Sequence, residues 1–189
     1  ALANFQRSLA LEPTGLAWGN VGATQYYRGR YSESAAAFEK ALSLVPSDYV
    51  NWSNLGDALR LIPGSGAKAT QAYEKGIALA RSELATNPND AAIHSSLALC
   101  LAKTGRAAEA HEHLRISLAT EPGRPQLLFN AAVVANRAAR PADAVGYLSR
   151  AVRAGFSTAV IRREPELANL RNRDDFDDVV KGLRRESSK

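Results

Sequence analysis

The sequence predicts an all-α fold of stacked helix-turn-helix pairs, and three observations carry that prediction. The 189 residues are 46% hydrophobic and 23% charged, an ordinary balance for a chain that folds around a core. The apolar share is led by alanine, with only 7% aromatic residues and few β-branched runs, a mix that suits close-packed helices over sheets. The third observation is a period. Trp18-Gly-Asn-Val21-Gly22 recurs 34 residues later as Trp52-Ser-Asn-Leu55-Gly56, and it decays into His94-Ser-Ser-Leu97-Ala98 and Leu128-Phe-Asn-Ala131-Ala132, again 34 residues apart.

Downstream of each copy comes a second helical pattern: a small residue, a large apolar residue four on, and another small residue three further. Its copies are Ser34/Phe38/Ala41, Ala69/Tyr73/Gly76, Ala110/Leu114/Ser117 and Ala144/Leu148/Ala151. Ala1/Phe5/Ser8 opens the chain with the second half of this pattern alone. Pro13, Pro46, Pro88 and Pro122 close successive units, as expected just past helix ends.

The elements follow in order. Residues 1–13 read as the second helix of a truncated repeat, 14–48 as a full repeat, 49–90 as a repeat with an elongated second helix, 91–124 and 125–155 as two further repeats, and 156–189 as a capping segment. First helices are expected near 15–28, 49–61, 91–103 and 125–138. The spacing from Trp52 to His94 is 42, and the excess divides into one residue in the turn Leu61-Ile-Pro-Gly-Ser-Gly66 and seven in the following helix. Seven residues are about two helical turns. Because Ala69, Tyr73, Gly76, Ile77, Ala80 and Leu84 keep helical spacing, that helix should lengthen without a break. After Gly155 the repeat stops, and Glu164-Pro-Glu-Leu-Ala-Asn-Leu170 and Asp174-Asp-Phe176-Asp-Asp-Val-Val180 read as short helices with acids in their first turns. Leu167, Leu170, Phe176 and Val179 should cover the last repeat.

Small residues at Gly22, Gly56, Ala98 and Ala132 let the two helices of a pair approach, while Phe38, Tyr73, Leu114 and Leu148 fill the space between pairs. A single pair cannot bury its own apolar face, so one continuous stack is expected.

At a period of about 34, W-x2-L-G-x2-Y…A-x3-F…P resembles the tetratricopeptide repeat (TPR), over roughly residues 1–155. The tyrosine of that pattern is replaced by Gln25, Leu59, Leu101 and Ala135. The resemblance implies a right-handed superhelix, an α-solenoid, that holds another polypeptide. The stretch from the Leu55–Gly64 turn to the acidic tail is similar to TPR regions fused to bacterial signalling modules such as kinases, cyclases and winged-helix regulators. That similarity implies a docking or regulatory part of a larger protein. The chain has no methionine and Ala1 falls inside a helical pattern, which is read here as a piece of a longer chain.

Enzyme chemistry finds no foothold in the residues. Gly64-Ser-Gly-Ala-Lys68-Ala-Thr70 lacks both the glycine before lysine and the preceding strand of a phosphate loop. His111 and His113 are two apart on a helix and face different ways, unlike the i, i+4 pair a metal needs. His94 stands at a tryptophan position, and Cys100 between Leu99 and Leu101, both as packing residues. Neither a catalytic site, a metal site nor a cofactor is expected. The net charge of +5 is spread along the chain and interleaved with acids, so nucleic acid is not the expected partner. No window approaches a membrane span. A lone cysteine carries no sign of an oxidising compartment, which favours the cytoplasm.

The inferred partner is a protein or peptide. The TPR resemblance implies that first helices line an inner groove, where Asn20, Asn54, Ser96 and Asn130 stand two residues after each tryptophan position. A primary amide donates and accepts, so such a column pairs with an extended backbone whatever its side chains; the bland alternative is that these amides bridge neighbouring helices. Tyr27, Arg60, Lys103 and Arg137 near the helix ends add a basic strip suited to an acidic segment, and Leu99, Phe129 and Val133 add apolar anchorage. The other reading is a structural connector or self-association module without a groove ligand. Apolar residues Leu2, Phe5 and Leu9 on the orphan first helix, Leu2 to Glu12, leave an open edge expected to pair two chains as a homodimer, or to be covered by another helix in a longer chain.

Overall fold

First helices begin on side chains that satisfy their opening amides. The computed structural model describes residues 14–182, so the orphan helix expected at 1–13, and any pairing through it, lies outside the described residues. Helix α1 (Gly15–Tyr26) starts on Thr14, whose Oγ1 accepts from the Ala17 amide at 3.1 Å. Helix α3 (Tyr49–Arg60) starts on Asp48, accepting from Asn51 at 2.9 Å, and α5 (Ala91–Lys103) on Asp90, accepting from Ala92 and Ile93. These are N-caps placed where the sequence supplies Thr or Asp. Helix α7 (Pro125–Arg137) opens on a proline instead, whose fixed φ suits a first turn.

The second helices are α2 (Tyr31–Leu44), α4 (Gly66–Thr86), α6 (Ala107–Thr120) and α8 (Pro141–Arg153). Helices α2, α6 and α8 follow a reversal through Gly29, Gly105 and Ala139, with φ of 76°, 82° and 55°. Glycine adopts that region freely; alanine at 139 carries a small strain.

The described residues divide into two compact units, one ending at Glu83 and the other beginning at Leu84. The division falls inside α4. This helix runs unbroken for 21 residues, but nothing in it beyond Ala80 is buried. The extra turns thus run on beyond the core of their own helix pair.

Unit 1 packs glycine against aromatic rings. A Cβ on Gly22 would come within 2.7 Å of the Phe38 ring, and one on Gly56 within 2.5 Å of the Tyr73 ring. Tyr73 is fixed by its hydroxyl donating to Asp57 Oδ1 at 2.7 Å, and Ser34 donates to the Gly22 carbonyl at 2.8 Å. In unit 2 the same positions hold Ala98 with Leu114 and Ala132 with Leu148, all enclosed. Ser117 donates there to the Ala91 carbonyl at 2.8 Å. Cys100 is buried in this core.

The tail covers the last repeat. It forms α9 (Thr158–Arg163), a 3₁₀ turn at Pro165–Leu170 and α10 (Asp174–Val180). Ile161, Leu167, Leu170, Phe176, Val179 and Val180 join Phe129, Val133, Val145 and Leu148 in one core. The sequence reading passed over α9 and placed a short helix at Glu164–Leu170, which takes the 3₁₀ form over Pro165–Leu170. Arg173 pairs with Asp175 at 2.8 Å, and that hydrogen bond holds the Asp175 carboxyl below its ordinary range; Asp177 pairs with Lys181. Asp175, which also accepts from the Phe176 amide, thus serves the start of α10, and Asp177 pairs with the residue that ends it. Among the described residues there is no strand, and no helix is long and apolar enough to cross a membrane.

Candidate peptide-docking surface

In unit 1 the first helices α1 and α3 lie side by side. Gly19 meets Asn51 so closely that a Cβ there would sit 2.9 Å from its Oδ1, and Asn51 is itself held by donating to Asp48 Oδ2 at 2.7 Å. Asn20 and Asn54 are half-buried on these helices. One turn before each stands an exposed aliphatic side chain, Leu16 at 76% and Val50 at 43%. Residues four apart share a helix face, so both helices present an apolar residue followed by an amide. The sequence reading missed Leu16 and Val50, although their fixed distance before each asparagine was available. Tyr27 and Arg60 are half-buried at the ends of the same helices, and the Tyr27 ring meets Tyr26 edge to face at 5.3 Å.

Unit 2 treats the corresponding residues differently. Asn130 is buried; its Oδ1 accepts from Gln126 Nε2 and its Nδ2 donates to Ser95 Oγ, both at 2.9 Å. This amide bridges α5 and α7, so the expectation that it faces a ligand is corrected. Phe129 stacks on Phe156 with centroids 4.5 Å apart, Val133 is enclosed in the tail's core, and Leu99 packs against that core. Phe129 and Val133 are thus enclosed with the chain's own tail, while Leu99 is half-buried against the same core. Arg137 is likewise engaged: Nε donates to the Ala102 carbonyl at 3.2 Å and Nη1 pairs with Glu166 at 3.0 Å. Asn136 donates to the Glu166 carbonyl, and Asn136 and Asn169 exchange hydrogen bonds. Ser96 and Lys103 remain half-buried on α5.

His94 is a buried packing residue held at both ring nitrogens. Its Nε2 lies 2.9 Å from the Pro88 carbonyl, to which it donates. Its Nδ1 shares a hydrogen bond of 2.8 Å with His113 Nδ1. No group of three or more metal-ligating side chains occurs among the described residues.

Paired helices with a Gly-or-Ala contact at fixed period define a helical-repeat scaffold. Models of the tetratricopeptide repeat match residues 15–48, 64–125 and 103–156, and the chain belongs to that family. Proteins of this fold generally mediate protein–protein interactions. Among curated proteins none matches the sequence. Similar solved structures include TTC0263, a thermophilic TPR protein of Thermus thermophilus, at 19% identity over 88% of each chain with a TM-score of 0.59. Another is the APC/C hetero-tetramer Cut9-Hcn1, at 18% identity over 94% of this chain and 35% of that one, TM-score 0.54. YrrB, a TPR protein with an unusual peptide-binding site, aligns at 16% identity over 86% of this chain and 98% of its own, TM-score 0.41. At these identities the likeness is one of fold.

Proposed function

We propose that the chain is a non-catalytic docking scaffold that binds an extended, acidic segment of another protein on the face of α1 and α3. The observation that carries this reading is the repeated pair of exposed aliphatic and half-buried amide, Leu16 with Asn20 and Val50 with Asn54. An extended backbone can exchange hydrogen bonds with both amides while its side chains rest on the aliphatic residues. The formal charge of +5, with Arg60 at the end of α3, supports an acidic partner. As a module of a larger protein, such a surface would tether that protein to its target. The test is titration of the full chain with a panel of extended acidic peptides. Replacing Asn20 and Asn54 together with alanine should weaken a saturable ligand roughly tenfold or more, two lost hydrogen bonds at about 1 kcal/mol each, and leave the melt nearly unchanged. Binding that survives the double change removes this assignment.

A second reading, a connector whose first helices bind nothing, is favoured by the bridge from Gln126 through Asn130 to Ser95. It predicts no saturable ligand for any member of the panel.

A further inference from the structure

Unit 2 contains a cavity of about 200 Å³ where the turn from α5 to α6 meets the end of α7, floored by Ala102, Ala107, Ala110, Val134 and Ala138 and rimmed by His111, Arg137 and Arg140. Its origin is visible in the repeat register. Ala98 corresponds to Gly22, so Ala102 and Ala107 stand where the first repeat has Tyr26 and Tyr31. In unit 1 those two rings meet at 5.7 Å, and Tyr26 is buried. The corner that tyrosines fill in the first repeat is therefore left open in the third by two alanines.

Two arginines and a histidine stand at the rim, and each arginine is paired with a carboxylate, Arg137 with Glu166 and Arg140 with Asp143. Arg137 spends Nε and Nη1 on the Ala102 carbonyl and Glu166, leaving Nη2 without a partner among the described residues. Arg140 makes a half-exposed pair with Asp143 at 3.3 Å. His111 is exposed at the mouth. Guanidinium groups stack on aromatic faces and bind carboxylates. The volume falls below the roughly 300–1,000 Å³ of sites for drug-sized ligands and suits a single large side chain.

We infer that this cavity is an anchor site for one aromatic side chain of a partner protein, taken up with an acidic residue beside it. The aromatic ring replaces the tyrosine pair missing from this repeat, and the neighbouring carboxylate meets Arg140 and His111. The inference rests on the docking reading of the chain but places this anchor in unit 2, away from Asn20 and Asn54.

The experiment uses the isotope-labelled full chain and the acetylated, amidated peptide Ser-Glu-Tyr-Glu-Ser. Saturable amide shifts are expected at Ala102, Ala107, Val134 and Ala138. They should vanish in Ala107→Tyr, which restores the first repeat's ring, and when the peptide's tyrosine becomes alanine. Arg140→Ala, at an exposed position, should weaken binding roughly fivefold, the value of one surface ion pair. If Ala107→Tyr does not fold, the Arg140→Ala and alanine-peptide results decide alone. The inference is overturned by the absence of saturable shifts, or by their persistence in a folded Ala107→Tyr chain. Shifts confined to Leu16, Asn20, Val50 and Asn54 also overturn it, while leaving the docking face on α1 and α3 standing.

Discussion

Asn54 and Asn130 hold the same place in their repeats, yet one is half-buried beside an exposed valine and the other is enclosed between two helices. What differs is the surroundings. Ser95 and Gln126 offer Asn130 one acceptor and one donor, and the tail closes over the neighbouring Phe129 and Val133. A residue's position in a repeat therefore does not fix its role. A buried amide with both ends paired stabilises a helix contact, whereas a half-exposed one keeps hydrogen-bonding capacity for a ligand.

Removing everything after Gly155 should have the largest effect. Leu167, Leu170 and Phe176 are nearly or wholly buried, and burying each such side chain contributes about 1.5–3 kcal/mol. The truncated chain should melt lower by roughly 10 °C or more, given about 2–4 °C per kcal/mol at this size, and aggregate through Phe129, Val133 and Leu148. Calorimetry with light scattering checks both. An unchanged melt would mean that the tail contributes nothing to unit 2, and that Asn130 is enclosed for another reason.

A smaller effect separates the cores of the two units. Gly56→Ala drives a methyl group into a tyrosine ring that its hydroxyl bond to Asp57 holds in place, so a cost of about 1–3 kcal/mol is expected from overpacking. At the matching position in unit 2, Ala98→Gly removes a methyl without a clash. It should cost about 1 kcal/mol, chiefly through helix propensity. Denaturant melts of both variants measure the contrast, and equal costs would show that the glycine contact is not tight.

Much of this architecture was legible in the sequence. The period, the small residue facing Phe38, Tyr73, Leu114 and Leu148, and the seven extra residues of the second repeat together mark the paired helices and the long α4. The tail core was legible from Leu167, Leu170, Phe176 and Val179, although α9 was not, because Thr158–Arg163 is one short β-branched stretch ended by Pro165. The candidate site was only half legible. Asparagine at a fixed place in each repeat marks a polar position, but whether it meets solvent or Ser95 depends on contacts between residues far apart in the chain. The open corner at Ala102 and Ala107 escaped for a related reason. Alanine in a helix reads as ordinary packing until its neighbours are known to leave space.

The most direct test of the contrast between the two amides is a pair of thermal melts, Asn54→Ala and Asn130→Ala, made side by side on the full chain. Asn130→Ala strips a buried hydroxyl of its donor and a glutamine of its acceptor, and should cost about 1–2 kcal/mol, a fall of several degrees. Asn54→Ala should stay within about 0.5 kcal/mol of the parent, as surface substitutions do. Equal falls, or a larger one for Asn54→Ala, would contradict the account and make both asparagines parts of the scaffold itself.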